Sequence, residues 1–333
     1  MLSRLLGLAV ASATAVLFLS STVTAGQAAP AQETHPMSPL AQYGIVANNA
    51  FFYYEDVEAA ARFYTETLGL DVAADYGFAK ILRIASTSYL TLVDASKGMH
   101  TADEPKTVAV ALVTDQLDEW YEYLSARGVE MKHGYDPVEG RPHHGFVALD
   151  PEGYYLEFER FNEHPENQLL MPVLDQTPTV SATPAASGVE GLGFKATVVW
   201  LYYRDMNAIQ RFYEDKIGLE LIVDQGWAKI YRTSRSGYLG LVDETRGMHS
   251  YTEHKAVTVS FLTDDIAGWF DHVRSRSTFE LRSSQLEATD RYRAFVGYDP
   301  EGYYLEFDTF LAHGDNEKLL RLLEEGVPQE RKR

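Results

Sequence analysis

A chain of 333 residues is longer than one hydrophobic core usually serves, and 45% hydrophobic with 23% charged residues marks it as folded, so two domains are expected. A formal charge of -19, with no Lys/Arg stripe to override it and only a short basic run at 331–333, excludes nucleic acid and anionic lipid as partners. The absence of cysteine removes disulfides, thiolate nucleophiles and thiolate metal ligands.

The chain opens with Arg4, an apolar run from Leu5 to Leu19 and the small residues Val23, Thr24 and Ala25, the pattern of a signal peptide over 1–25. The apolar run is shorter than the ~20 residues a spanning helix needs and contains Ser12 and Thr14. A secreted or periplasmic protein is expected, free of the membrane once the leader is cleaved. A linker over 26–43, tether-like from Ala28 to Ala41, follows.

Shifting the sequence by 149 positions aligns it with itself without a gap, and about 45 of 118 positions agree. The two copies span 44–163 and 193–313. Phe63-Tyr64 falls on Phe212-Tyr213, Gly98-Met99-His100 on Gly247-Met248-His249, and the nine residues from Asp150 to Phe158 on Asp299 to Phe307. Between the copies, 164–192 reads as a linker, extended from Pro172 to Gly191 where Pro, Thr, Ser, Ala and Gly dominate.

Within copy one, Ala50 to Tyr54 reads as a strand, Asp56 as the N-cap of a helix carrying Ala59, Ala60, Phe63 and Tyr64, and Gly69 as its stop. Runs at Ala79 to Ile84 and Tyr89 to Val93 read as further strands. The pattern restarts with Thr107 to Val113, Asp115 as cap, a helix through Trp120 and Leu124, and Gly128; Asp150 to Gly153 makes a type I turn in the last hairpin. Four such units make an α+β protein. After copy two, 314–333 forms a tail whose Asp315 to Glu325 segment is an amphipathic helix with Leu319, Leu320, Leu322 and Leu323 on one side, expected to pack on copy two or to make a homo-oligomer contact.

This order, with Phe63 to Leu70 and Asp150 to Phe158 each recurring 149 residues later, resembles the vicinal oxygen chelate superfamily of glyoxalase I, extradiol dioxygenases and bleomycin resistance proteins. The resemblance implies two tandem glyoxalase-like domains, each of paired βαβββ modules. It also implies metal ligands on the first strand of each module and on the last. Counting back seven from the capping Asp residues lands on Asn49, Val108, Val198 and Val257, and none is histidine. The fourth-strand position falls on Thr91 and Gly240, leaving only Glu157 and Glu306 in agreement. One carboxylate cannot hold a catalytic divalent ion, so no cofactor is expected. A site rearranged from His100, His143, His144 and Glu157 is the metal-binding alternative.

Strand alternation puts Asn49, Phe51, Tyr53, Tyr89, Thr91, Val108, Val110, Tyr155 and Glu157 on one cavity wall. Copy two offers Val198, Trp200, Tyr202, Tyr238, Val257, Val259, Tyr304 and Glu306. Such walls suit a planar or apolar small molecule, unless the aromatics simply fill the space. Folding back the hairpin sets Phe146 opposite Glu157, with His144 as its cation and Arg293 in that place in copy two. Glu157, Glu306 and His144 are therefore candidate catalytic residues, with a structural ion pair as the simpler role. His100 and His249 are expected to brace loops. Residues 128–145 share no identity with 277–294, so the two cavities are expected to differ.

The function expected is that of an exported small-molecule-binding protein without the usual metal. A lyase or dioxygenase with a remodelled site, and a scaffold with filled cavities, are the alternatives.

Overall fold

The computed structural model describes residues 38–183, 189–275 and 280–326, so the expected leader and most of the first tether lie outside the described residues. Copy one follows the short helix α1 (Pro39–Tyr43) and runs β1 (Ala47–Tyr54), α2 (Val57–Arg62), β2 (Asp71–Asp75), β3 (Ala79–Ala85) and β4 (Ser88–Asp94). Its second module is β5 (Val108–Val113), α3 (Leu117–Ala126), β6 (Met131–His133), β7 (His143–Leu149) and β8 (Tyr155–Phe161). The connection holds α4 (Met171–Asp175), β9 (Val180–Ser181) and β10 (Gly193–Phe194). Copy two repeats the plan with β11 (Ala196–Tyr203), α5 (Met206–Phe212), β12 (Glu220–Asp224), β13 (Ala228–Arg232) and β14 (Gly237–Asp243). It ends with β15 (Val257–Leu262), α6 (Ile266–Arg274), β16 (Glu280–Leu281), β17 (Glu287–Ala288), β18 (Tyr292–Tyr298) and β19 (Tyr304–Phe310), and α7 (Glu317–Gly326) closes the described chain. The βαβββ modules of an α+β fold are present as expected.

The expected cap Asp56 accepts the amide of Ala59, and Asp205 that of Ala208. In the second modules the cap sits one residue later than expected, at Gln116 and at Asp265, whose side chain accepts the amide of Gly268. That single-residue shift matters below, because one step along a strand turns a side chain to the opposite face.

The two sheets do not coincide with the two sequence copies. Sheet 1 runs β16-β18-β19-β15-β1-β4-β3-β2 and sheet 2 runs β12-β13-β14-β11-β5-β8-β7-β6. Each therefore joins one module from each copy, through the antiparallel pairs β1 with β15 and β5 with β11. One face of both sheets packs on the helices in a single core that includes Phe52, Tyr54, Trp120, Phe158, Tyr203, Trp269 and Phe307. The opposite faces form the clefts.

The connection between copies is not the extended linker expected. α4 buries Leu174, with Leu170 just before it, against Val113, Ala196 and Phe161 on the cleft face of sheet 2, and β9 pairs with β10. At the equivalent place on sheet 1, α7 buries Leu319 and Leu322 against Ala47, Ala73, Ile81, Tyr89 and Leu262. It thus packs largely on copy one, where copy two was expected, and Lys318 adds a 2.6 Å ion pair to Asp71.

Copy one expressed alone, residues 44–163, would leave β1 and β5 without their partners. It is expected to pair these edges with a second molecule of itself and to elute as a dimer by light scattering. A folded monomer would show that pairing between copies is dispensable.

Candidate functional site

The cap shift relocates the first-strand positions. Counted from Gln116 and Asp265, they fall on Ala109 and Thr258, and the register agrees: Thr258 lies opposite Phe51, and Ala109 opposite Trp200. Val108, Val110, Val257 and Val259, expected to face the cavity, point into the helix-side core instead. The four inward positions are thus Asn49, Thr91, Thr258 and Glu306 in sheet 1, and Val198, Gly240, Ala109 and Glu157 in sheet 2.

In sheet 1 several of these polar groups bond to one another or to their neighbours, although Asn49 Oδ1 is buried without a partner among the described residues. Asn49 Nδ2 donates to Thr91 Oγ1 at 2.7 Å, Tyr53 Oη and Thr258 Oγ1 are 2.8 Å apart, and Ser260 Oγ donates to Asp308 at 2.5 Å. In sheet 2 three of the four positions carry no donor atom at all. A Cβ on Gly240 would stand 1.9 Å from the Trp200 ring, so the indole packs directly on the strand at the position where the family resemblance implies a ligating side chain. Neither donor set fits a divalent ion, since zinc needs about three protein ligands. Among the described residues no group of three His, Cys, Asp or Glu is placed to hold one.

The expected alternative metal set does not assemble, because His100 belongs to sheet 1 and His143, His144 and Glu157 to sheet 2. His100 lies against Tyr53 (4.9 Å between ring centroids) and Tyr304 (4.3 Å), with Nδ1 2.7 Å from Glu104. His249 takes the matching place against Tyr202 (5.0 Å) and Tyr155 (4.3 Å). Each histidine thus bridges the two copies, and its loop approaches so closely that a Cβ on Gly98 or Gly247 would lie 2.6 Å from Tyr53 or Tyr202. The loop-bracing role explains the repeated Gly-Met-His. Tyr89 and Tyr238 also leave the expected cleft, being buried beneath α7 and α4.

The open site lies on sheet 2. A chamber of about 110 Å³ is lined by Trp200, Tyr202, Trp227, Met248, Glu157, Glu159 and His143, and it shares several of these with an outer cleft of about 710 Å³. A further cleft of about 730 Å³ between α1, β15 and α7 is lined by none of the sequence-predicted site residues.

The hairpin register places Val147, not Phe146, opposite Glu157, and His143, not His144, on its face. His144 Nε2 instead meets the carbonyl of Val138 at 2.7 Å. In copy two the place of His143 belongs to Tyr292 rather than Arg293, which lies opposite Thr309. His143 Nδ1 lies 2.8 Å from Glu159 Oε1, close enough for an ion pair although the ring N–H is off line. That contact, opposed by burial, raises the imidazole pKa to about 9. Burial first and Glu159 second raise Glu157 to about 8, while the nearby Trp200 N–H lowers it without forming a well-aligned hydrogen bond. In sheet 1, burial and Asp308 push Glu306 well above the usual carboxyl range. Glu159 was legible in principle, two residues beyond Glu157 on the same face; Trp227 and Arg246 sit on turns that strand alternation does not reach.

The sequence profile described as Glyoxalase/Bleomycin resistance protein/Dioxygenase superfamily matches residues 46–158 and 194–307. Glyoxalase I from Zea mays superposes with a TM-score of 0.55 at 17% identity, covering 83% of this chain and 94% of that one. A candidate dioxygenase from Bacillus subtilis superposes with a TM-score of 0.56 at 13% identity, covering 86% and 96%. A search of curated protein sequences finds no match.

Glu157 and His143 both have folded-state pKa values above their ordinary ones, so their contributions to stability are full at low pH and decline as pH rises through about 8 and about 9. Glu157→Gln, a neutral isostere of the protonated acid, should match wild type near about pH 5 and melt a few degrees higher near about pH 8. Equal destabilisation at both pH values would remove Glu157 as the titrating group.

Proposed function

The chain belongs to the glyoxalase/bleomycin resistance protein/dioxygenase superfamily, and from that membership we propose that it is an exported small-molecule-binding protein that works without a resident metal. Its binding site is the cleft of sheet 2, which takes an aromatic or apolar ligand. The observation that carries this reading is the Trp200 indole seated on Gly240. A position that would hold a ligating side chain is occupied by a flat apolar surface, facing an open chamber beside Tyr202 and Trp227. Stacking on such walls with a few polar groups for orientation is how small-molecule sites are commonly built. Export is supported by the apolar segment of the sequence at 5–19.

The scaffold reading applies to sheet 1 alone, where Asn49 bonds to Thr91, Tyr53 to Thr258 and Ser260 to Asp308. The two sheets thus divide labour, one cleft binding and the other holding the fold.

Thermal-shift screening of the untagged protein is expected to show stabilisation by aromatic compounds and none by zinc, iron(II) or manganese. Trp227→Ala, at the partly buried rim, should abolish the aromatic response while the variant still unfolds cooperatively, at a somewhat lower melting temperature. Stoichiometric metal in the purified protein, lost on Glu157→Gln, would overturn the proposal.

A further inference from the structure

We propose that the sheet 2 chamber receives a protonated amine carried on a flat apolar body, with Glu157 and Glu159 as its counter-charges. The inference deepens the small-molecule reading above and rests on it.

Glu157 and Glu159 occupy alternate positions on β8 and line the same chamber, where His143 stands 2.8 Å from Glu159 and Arg246 adds an exposed guanidinium at the mouth. The ground for the inference is an unmet acceptor. Glu159 is 1% exposed, and its Oε2 is buried with no hydrogen-bond partner among the described residues. A buried acceptor without a donor is costly, and the group that satisfies it must bring an N–H or O–H. An N–H on a cation also offsets the charge that Glu157 takes on when it ionises.

The walls agree. Trp200, Tyr202 and Trp227 present rings to the chamber, and tryptophan faces attract cations most strongly. Trp227 already carries one, the exposed Arg246 guanidinium, 5.0 Å from its ring centroid at the rim. The chamber's 110 Å³ equals about four water volumes at roughly 30 Å³ each, room for an ammonium head and a short alkyl stem. The flat body must then lie in the wider cleft outside. There Arg141 and Arg246 are offset by Asp136 and Glu166, so the rim adds no net preference. An anion would have to enter beside the Glu159 carboxylate, and the field of a chain of charge -19 opposes its approach.

The pseudo-equivalent place in sheet 1 lacks these features. Asp308 receives the Ser260 hydroxyl, and Tyr292 stands where His143 would be. Entry of an ammonium favours the ionised form of Glu157, whose raised pKa leaves it protonated at neutral pH, so binding should release a proton.

Isothermal titration of the full chain at neutral pH with 2-phenylethylamine, 2-phenylethanol and 3-phenylpropanoate tests the proposal. The amine is expected to bind at least about tenfold tighter than the alcohol and the acid, with a heat that varies with buffer ionisation enthalpy as proton release requires. Glu159→Gln should erase the preference; should that variant not fold, Glu157→Gln must reduce both the preference and the proton release. Equal or tighter binding of the alcohol or the acid would overturn the cation assignment and leave the small-molecule reading intact. Failure of all three to bind would overturn both.

Discussion

Two buried carboxylates, Asp150 and Asp299, hold the arrangement on which everything else depends. Asp150 accepts the hydroxyls of Tyr54 at 2.6 Å and Tyr64 at 3.0 Å, and the amides of Glu152 and Tyr154. Asp299 does the same with Tyr203, Tyr213, Glu301 and Tyr303. Burying such a group is costly unless its lone pairs are filled, and here four donors fill them. Beside each, Glu152 and Glu301 accept the backbone amides that precede the first helix of the other module in their copy. These contacts tie module to module within a copy, whereas strand pairing ties module to module between copies. The four modules are thereby joined in a closed ring, in which no junction can open without straining the others.

That ring decides where the clefts are. Because each sheet takes one module from each copy, Glu157 faces Trp200 and Tyr202 of the other copy, and Glu306 shares its cleft face with Asn49 and Thr91. His100 and His249 reinforce the same exchange by bridging a tyrosine from each copy. A lining drawn from one copy at a time therefore mixes residues of two separate sites. The aromatic character of the clefts survives that error, because both copies supply the same kinds of side chain.

The elements and their order were legible because they rest on local chemistry: caps at Asp56 and Asp205, alternation in the strands, and the turn at Asp150 to Gly153. The site was less so, for two physical reasons. A cap moved from Asp115 to Gln116, and from Asp264 to Asp265, turns a strand over, and local sequence offers acceptable caps at both places of the second pair. The pairing of β1 with β15 and of β5 with β11 is set by tertiary closure, which leaves no mark on either strand. The hairpin at Glu157 failed by one residue of register in the same way, exchanging His144 for His143.

The repeat itself separates frame from site. Tyr54, Tyr64, Asp150, Glu152, Gly98 and His100 each have the identical residue 149 positions on, and every one of them joins modules or packs a loop. Several cleft positions differ, Asn49 against Val198, Thr91 against Gly240, Ala109 against Thr258 and His143 against Tyr292, while others such as Tyr53 and Tyr202 agree. A closed ring requires equivalent junctions, because unequal ones would tilt the two sheets differently. The cleft faces carry no such requirement, since α4 and α7 close each sheet independently of what lines the middle. Glu157 and Glu306 are identical in both copies yet in contact with different partners. What their side chains can do is therefore set by neighbours that the repeat leaves free, and the chamber of sheet 2 is where those neighbours leave room for a ligand.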